Sequence, residues 1–420
     1  MMMSMPALLF TGQGSQYIGM GKKLYEEYDM VKKLYKVADD IIGFHLSDLC
    51  FNGDQKELIK TENAQPAILI NSLAQFKVLQ EETGLEPAFM AGHSLGEISA
   101  LVCSGRLDFE DGLHLVRKRG SLMQEASKSV EGGMIAISNI CLDVLKEMLY
   151  SYNLKNEVAL SNFNSRDQIV VSGSKKGISI ISDMLKKEGA RVTRLQVSAP
   201  FHSKYMEEAA NAFREELLKY TFKRSCIPVF SNVTGNLYDN NSNYAELLSQ
   251  QIVSPVLWWD IIKRIMGHGV STFIEMGPKN KLVKMLEKNT IGLSLYAYDR
   301  QEDREKFKSC YCKVSGNKQL EEYITACIRE AVCTKNRTKE NARYIEGVLK
   351  PFAKLQEILY KINARDEVQD QYYVEGVKLL RQIFIAKDVP EIEQEKRIDE
   401  IIMRSPIWVR QGYECVGDEV

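Results

Sequence analysis

The chain has 420 residues, more than one hydrophobic core usually organises, so we expect two or three domains. Hydrophobic residues make up 45% and charged residues 26% of the chain, a balance that argues against global disorder. The formal net charge of -1 provides no overall field that would favour nucleic acid or a membrane surface. No stretch approaches the roughly 20 apolar residues of a membrane span, and no secretory signal is evident. With nine cysteines that lack paired spacing, these features predict a cytoplasmic protein with reduced thiols.

The first elements in chain order indicate an α/β fold. The apolar run Ala7–Phe10 predicts a buried strand, and a Gly-rich turn leads to a helical stretch from about Tyr17. A second strand at Phe89–Ala91 leads directly into the segment GHSLGE at 92–97, and Ile98–Val102 suits a buried helix. Strand, Gly-flanked turn and helix in this order are typical of a parallel central sheet.

Residues 131–197 show a different order of strand and helix signals, which predicts a small inserted subdomain. Their order is β-α-β-β-α-β, the ferredoxin-like motif, with the second and third strands joined by a polar turn over 162–167. The predicted strands are Met134–Ile137, Val158–Leu160, Gln168–Val171 and Val192–Val197, and the predicted helices are Leu142–Tyr150 and Lys176–Lys187.

The α/β pattern then resumes and ends near residue 304. Strands are predicted at Pro228–Ser231 and Thr272–Glu275. The body is therefore expected to be an α/β-hydrolase-like subdomain made of 1–130 and 198–304, which together with the insert forms one domain over 1–304.

Residues 305–420 predict a helical C-terminal extension, because they are charged and lack strand signals. Apolar residues recur there at helical spacing, which favours a stripe that faces a core over a partner-docking face. The residues of this stripe are Ile345, Val348, Phe352, Leu355 and Leu359, followed less cleanly by Val374, Val377 and Leu380–Arg381.

Ser94 is the strongest candidate for a nucleophile. Gly92 and Gly96 relieve crowding at a strained strand-to-helix turn, which would present the hydroxyl at the N-terminus of the following helix. The helix dipole and the free N–H of Leu95 would then face an oxyanion formed on a bound acyl group. A lone G-x-S-x-G is common, but the predicted strand before it and helix after it favour the catalytic interpretation.

A serine hydroxyl needs a base, and His202 is the best placed of the five histidines. It directly follows the predicted strand that closes the insert, where loops of α/β folds deliver functional groups. His93 adjoins Ser94 in sequence but should point to the other side of the turn, so we expect a structural role for it. His45, His114 and His268 have the local context of surface or packed residues.

Seven short motifs occur in an order that resembles malonyl-CoA:acyl carrier protein transacylases. The same set is similar to the acyltransferase domains of polyketide and fatty acid synthases. The resemblance covers roughly residues 5–300 and leaves the last quarter unmatched. The motifs are GQGSQ at 12–16, GHSLGE at 92–97, RG at 119–120, NFNS at 162–165, FHS at 201–203, QIVSPV at 251–256 and EMGP at 275–278.

The resemblance implies a role for each matching residue. Ser94 would attack a thioester while His202 takes its proton, and a backbone carbonyl at Gln251 would orient His202. The amides of Gln13 and Leu95 would form the oxyanion hole. Three further residues would contact the substrate. Arg119 would grip the free carboxylate of a malonyl group, Asn162 would help line the site, and Phe201 would favour malonyl over methylmalonyl units by steric exclusion.

The implied reaction transfers malonyl from malonyl-CoA to the phosphopantetheine thiol of an acyl carrier protein, in polyketide or fatty acid synthesis. No cluster of His, Asp or Glu has metal-ligand spacing, which disfavours a metal site, and the resemblance implies no cofactor beyond this coenzyme A thioester and the acceptor's phosphopantetheine. It implies carrier proteins or carrier domains as partners, and neither nucleic acid nor membrane.

Two other functions are compatible with parts of the sequence. A hydrolase that strips acyl groups from carrier proteins would use the same acyl-Ser94 intermediate, but it has no use for Arg119 as a carboxylate clamp. A catalytically idle scaffold would not need to retain Gln13, Ser94, Arg119 and His202 together. A dinucleotide site at 12–16 fails, because the third glycine of that fingerprint is missing.

Overall fold

The computed structural model describes residues 5–195, 197, 199–239, 241–311, 316–363 and 371–402. The chain divides into two compact units, Met1–Phe307 and Lys308–Val420. The sequence placed the corresponding boundary after residue 304. Within the described ranges, no helix combines the length and the apolar character needed to cross a membrane.

The strands form two separate sheets in the first unit. One sheet is parallel, in the order β2-β1-β7-β8, and the other is antiparallel, in the order β4-β5-β3-β6. The strands are β1 Ala7–Phe10, β2 Phe89–Gly92, β3 Gly132–Ser138, β4 Val158–Phe163, β5 Gln168–Ser174, β6 Arg191–Arg194, β7 Thr272–Met276 and β8 Ser294–Ala297.

Helices surround both sheets and also make up the described part of the second unit. The helices are α1 Lys22–Glu27, α2 Asp29–Ile42, α3 Leu46–Asn52, α4 Gln55–Leu58, α5 Thr61–Thr83, α6 Leu95–Cys103, α7 Phe109–Ala126, α8 Leu142–Ser151, α9 Lys175–Lys187, α10 Glu207–Leu217, α11 Tyr244–Val253, α12 Trp258–Gly267, α13 Lys281–Asn289, α14 Gln301–Tyr311, α15 Gly316–Cys333, α16 Asn341–Tyr344, α17 Lys350–Asn363, α18 Gln371–Ala386 and α19 Glu391–Ile402. A 3₁₀ turn covers Lys204–Met206 and a π-helical turn covers Ile345–Leu349.

The parallel sheet confirms the predicted α/β body. All four residues of β1, a central strand, and all four of β2, at the edge of the sheet, are buried, as expected for a parallel sheet covered on both faces. The register pairs Phe10 with Gly92 on one side and with Met276 on the other, so the carboxyl ends of β1, β2 and β7 meet at one edge. Ser94 lies at this edge, just beyond β2.

The antiparallel sheet is the predicted ferredoxin-like insert. Its order β4-β5-β3-β6 places the first and third strands of the motif at the centre, and α8 and α9 complete the β-α-β-β-α-β sequence. α9 begins where the Ser174 hydroxyl accepts a hydrogen bond from the amide of Gly177 at 3.0 Å. The insert therefore has its own core, between its sheet and these two helices.

Four local predictions in the first unit were wrong. The strand predicted at Val192–Val197 is β6, Arg191–Arg194, so His202 follows it by eight residues rather than directly. The first helix begins at Lys22 rather than near Tyr17, because the intervening residues form turns around Gly19 and Gly21, both at positive φ. The strand predicted at Pro228–Ser231 is reduced to isolated bridges, including one from Val229 to Met90. The polar turn begins later than predicted, since Asn162 still belongs to β4.

The second unit has a helical core of its own, as predicted. Val348, Leu355, Val377 and Leu380 are buried in it, and Phe352 and Leu359 pack against it. Two residues of the predicted stripe are wrong, because Ile345 is 50% and Val374 is 57% exposed. The π-helical turn that begins at Ile345 accounts for the first of these, since it shifts the helical phase away from a regular 3.6-residue repeat.

Candidate active site

Ser94 occupies a strained turn between β2 and α6. Its backbone has φ 54° and ψ -107°, a combination that residues with side chains rarely adopt. A Cβ on Gly92 would collide with the backbone of Gly96, and one on Gly96 would collide with the carbonyl of Phe10. The two glycines therefore allow the turn to fold tightly against the end of β1.

His202 accepts a hydrogen bond from the hydroxyl group of Ser94. The distance from Ser94 Oγ to His202 Nε2 is 2.9 Å, and the other ring nitrogen, Nδ1, lies 2.8 Å from the backbone carbonyl oxygen of Gln251. Because a carbonyl can only accept, the proton of neutral His202 sits on Nδ1 and leaves Nε2 free to accept from Ser94. The carbonyl belongs to the last turn of α11, where helical carbonyls lack partners within the helix.

Arg119 reaches the same hydroxyl from α7. Its Nη2 donates to Ser94 Oγ at 3.2 Å and to the side-chain oxygen of Gln251 at 2.8 Å, and its Nη1 donates to Gln65 Oε1 at 3.0 Å. The Arg119 side chain is 1% exposed, and its Nε is buried with no hydrogen-bond partner in the described chain. Gly120 allows this approach, since a Cβ there would lie 2.7 Å from the carbonyl oxygen of Thr61 on α5.

Near neutral pH, electrostatics keep the His202 imidazole neutral and the Arg119 guanidinium positively charged. Burial, helped by the positive charge of Arg119, lowers the pKa of His202 to about 3, so its imidazole is neutral. Burial also lowers the pKa of Arg119 to about 10, and the nearby carboxylate of Glu97 opposes that change. The guanidinium therefore remains charged beside a neutral base.

The first loop, which follows β1, lies beside the Ser94 turn. The amide of His93 donates to the carbonyl of Phe10 at 3.0 Å, and the side chain of Gln13 donates to Thr61 Oγ1 at 3.2 Å. Among the described residues, the backbone amides of Gln13 and Leu95 donate to no acceptor. Leu95 is the first residue of α6, where an amide has no partner within the helix.

β4 of the small subdomain contacts the loop that carries the candidate base, since Ser161 Oγ lies 3.2 Å from the carbonyl oxygen of Phe201. β4 bridges to Val256, with hydrogen bonds of 2.9 Å from the amide of Val256 to the carbonyl of Ser161 and from the amide of Phe163 to the carbonyl of Val256. Asn162 lies at this bridge and is 5% exposed, and Phe201 is 7% exposed directly before His202.

His93 is separate from the Ser94–His202 pair, in agreement with the structural role expected for it. Its Nε2 lies 2.9 Å from Asn164 Oδ1, and its ring packs against that of Trp258. Burial lowers the pKa of His93, which keeps this ring neutral as well.

Comparison with known proteins agrees with this geometry. The family model described as acyl transferase domain matches residues 7–295, which include the hydrogen-bond partners of Ser94 among the described residues. The chain belongs to this acyl transferase family.

Two relatives within the family match this chain over different lengths. A malonyl CoA-acyl carrier protein transacylase of Bacillus subtilis is 34% identical over 391 residues, which is 92% of this chain and 98% of the relative. A second one, from strain 168, is 43% identical over 288 residues, which is 68% of this chain and 90% of the relative. The extension that the motifs left unmatched is thus shared with the first of these transacylases.

A solved family structure has the same fold. It is titled as a type II polyketide synthase acyl-carrier protein in complex with its malonyl-transacylase, and the matched chain has a TM-score of 0.70 at 34% identity. The match covers 73% of this chain and all of that one.

Sequence reasoning missed three residues that complete the hydrogen-bond network around Ser94. Gln65 holds Arg119, Asn232 Oδ1 accepts from the amide of Ser94 at 2.7 Å, and Glu97 Oε2 accepts from Gln251 Nε2 at 2.5 Å. The side chain of Gln251 also donates to the carbonyl of Ser94 at 2.9 Å, in addition to the carbonyl role implied for its backbone. Only Glu97 carried a local signal, as the last residue of GHSLGE.

Proposed function

We propose that this chain transfers a malonyl group from malonyl-CoA to the phosphopantetheine thiol of an acyl carrier protein through an acyl-Ser94 intermediate. One observation supports this most directly: the Ser94 hydroxyl lies within hydrogen-bonding distance of both a neutral imidazole and a charged guanidinium. The imidazole suits acyl transfer, and the guanidinium suits an acyl group that carries a carboxylate.

The reaction proceeds in two half-reactions that share one set of groups. Ser94 Oγ attacks the thioester carbonyl carbon while His202 Nε2 takes the hydroxyl proton. The tetrahedral intermediate collapses by breaking the carbon–sulfur bond, and His202 returns the proton to the departing coenzyme A thiolate. The carrier thiol then gives its proton to His202 and attacks the ester, which releases malonyl-carrier and restores the Ser94 hydroxyl.

The amides of Gln13 and Leu95 are proposed to stabilise the oxyanion of each tetrahedral intermediate. Support comes from their lack of acceptors among the described residues and from the position of Leu95 at the positive end of α6. A donor of this kind typically contributes on the order of 10²–10³-fold in rate. The carbonyl of Gln251 would stabilise the His202 imidazolium that forms in between.

Arg119 is proposed to bind the malonyl carboxylate. Support comes from its Nε, which is buried without a hydrogen-bond partner among the described residues, so that the guanidinium keeps one unpaired donor. Such a cation favours transfer of malonyl over hydrolysis of uncharged acyl chains. Phe201 is proposed to limit the space beside His202, and Asn162 to line the same cleft from β4.

Intact-mass spectrometry after mixing with malonyl-CoA tests this function. We expect the mass of one malonyl group on wild type and on Ser99→Ala, which removes another buried hydroxyl of α6, and none on Ser94→Ala. Addition of phosphopantetheinylated carrier protein should move the adduct to the carrier thiol. Loss of the adduct to water alone would identify a hydrolase, and an adduct on Ser94→Ala would exclude Ser94 as nucleophile.

We also propose that the acceptor belongs to polyketide or fatty acid synthesis and that the protein is cytoplasmic. Comparing carrier proteins from fatty acid and polyketide synthesis in the same assay would show which acceptor is preferred. Subcellular fractionation would test the cytoplasmic location predicted from the sequence.

A further inference from the structure

Asn232 engages all of its polar groups around the Ser94 turn. It is 0% exposed and lies after the bridge at Phe230. Its Oδ1 accepts from the amide of Ser94 at 2.7 Å, and its Nδ2 donates to the carbonyl of Gly92 at 2.7 Å. The side-chain amide thus spans the turn from the residue before His93 to the residue after it.

The backbone of Asn232 is itself held at both ends. Its amide donates to Glu97 Oε1 at 3.1 Å, and its carbonyl accepts from the amide of Leu257 at 3.0 Å. Glu97 also accepts from the hydroxyl of Tyr238 at 2.5 Å. These contacts come from α6 and from the start of α12, so the position of the Asn232 side chain is determined by the body of the fold.

The Ser94 conformation needs support of this kind. A residue with φ 54° and ψ -107° lies outside the regions that side chains normally occupy, and such a conformation persists only where surrounding contacts hold it. A rotation of this peptide would move Ser94 Oγ away from His202 Nε2.

We propose that Asn232 is a positioning residue whose side-chain amide clips Gly92 O and Ser94 N together and so aims the Ser94 hydroxyl at His202. This inference rests on the proposed function, since it assigns a residue to the same reaction. An amide suits the role because the turn presents one acceptor and one donor, which only a side chain with one donor and one acceptor can match.

Asn232→Ala tests the clip through the rate of acylation. By the usual effect of a misplaced nucleophile, we expect the acylation rate constant to fall on the order of 10²-fold while the KM for malonyl-CoA changes little. Asn289→Ala is the matched control, because Asn289 Nδ2 also donates to a backbone carbonyl, that of Met285, in a helix away from the site. It should acylate at the wild-type rate.

Asn232→Asp adds a readout that a purely structural role would not move. A neutral carboxyl group can accept from Ser94 N and donate to Gly92 O, whereas an ionised one places a negative oxygen against that carbonyl. Burial at this 0% exposed position raises the pKa of a carboxyl group above its usual range, so the acylation rate of Asn232→Asp relative to wild type should rise about tenfold as the pH falls from 8 to 5.5. The charged and titratable groups around the turn are His93, Glu97, Arg119, His202 and Tyr238, and all occur in both proteins, so the ratio removes the contribution that they make equally to the two. Burial raises the pKa of Glu97 to about 7, within this window, and its contact with Asn232 N is kept in Asn232→Asp because it involves the backbone amide.

A small uncharged sulfonyl fluoride that labels reactive serines separates the two proposals. Slower labelling of Ser94 in Asn232→Ala supports the clip even if wild type forms no malonyl adduct, which would refute the malonyl function alone. Wild-type labelling and acylation rates in folded Asn232→Ala would overturn the clip. If that variant folds poorly, Asn232→Asp decides: a rate ratio independent of pH would overturn the proposal as well.

Discussion

The first and second units differ in what they bury. Residues of Met1–Phe307 bury Glu97, Arg119 and His202 together around one serine. In Lys308–Val420, the buried polar side chains among the described residues are Thr334 and Lys387. Lys387 Nζ donates to the carbonyls of Ala331 at 2.6 Å and Thr334 at 2.8 Å, at the end of α15.

The difference shows two uses of a buried charge. Lys387 completes the end of a helix whose last carbonyls would otherwise lack partners, so its role is explained within the fold. Arg119 keeps a buried donor without an acceptor, and an unpaired buried donor costs free energy that packing does not return. We therefore expect changes near Ser94 to affect chemistry, and changes in the second unit to affect stability.

The largest expected effect comes from removing His202, the general base of the first unit. His202→Ala should slow formation of the malonyl adduct by about 10²–10⁴-fold, because Ser94 loses the group that takes its proton. Rapid-quench mass spectrometry measures the rate. His268→Ala, which alters an exposed histidine that stacks on Phe89, is the control and should retain the wild-type rate. An equal loss in both variants would contradict the role of His202.

Arg119→Ala should separate malonyl from acetyl transfer. Loss of a charged partner for the carboxylate should reduce kcat/KM for malonyl-CoA by on the order of 10²-fold more than for acetyl-CoA. Steady-state transfer to carrier protein with both thioesters measures the ratio. Arg117→Ala removes a neighbouring cation that donates to Glu62 O at 2.9 Å and should leave the ratio unchanged. Equal losses for both acyl groups in Arg119→Ala would refute the clamp.

A substitution in the second unit should give the opposite pattern. Leu380→Ala removes a 0% exposed side chain from α18, and such changes cost about 2–5 kcal/mol in free energy of unfolding. The malonyl adduct should still form at the wild-type rate, since the hydrogen-bond partners of Ser94 among the described residues lie in Met1–Phe307. Denaturant unfolding and adduct formation are measured on the same samples, with Val374→Ala as the exposed control. Slower acylation in Leu380→Ala samples that remain folded would contradict the expectation that changes in the second unit affect stability and not chemistry.

The smallest expected effect is a displacement of the pH profile. Because the pKa of His202 is lowered to about 3, kcat/KM for malonyl-CoA should not decline near pH 6.5 as it would for an exposed histidine base. Arg119→Ala removes a positive neighbour and should move the acid limb to higher pH, while burial keeps it below 6.5. An acid limb near 6.5 in wild type would show that His202 is exposed to water in solution.

The same pKa predicts how His202 affects stability. Between pH 6.5 and about 3 the unfolded chain binds a proton on this residue that the folded chain does not. Its contribution to stability is therefore complete above pH 6.5 and is lost as the pH falls through this window. Wild type should lose more free energy of unfolding over that range than His202→Ala.

Local sequence was sufficient wherever neighbouring residues determine the conformation. The turn at Ser94 follows from Gly92 and Gly96 between an apolar strand and an apolar helix, and the insert follows from its alternating strand and helix patterns. Local pattern failed at Tyr17, where glycines at positive φ delay the helix, and at Ile345, where a π-helical turn changes the phase.

Tertiary structure alone revealed two further distant residues that support the groups around the serine. Gln65 lies 54 residues before its partner Arg119, and Asn232 lies 138 residues after Ser94. No local pattern marks either residue, because an amide that braces a turn has the same composition as one on the surface. Their roles depend on the packing of α5 against α7 and on the bridge that brings Val229 beside Met90, and these contacts exist only once the chain has folded.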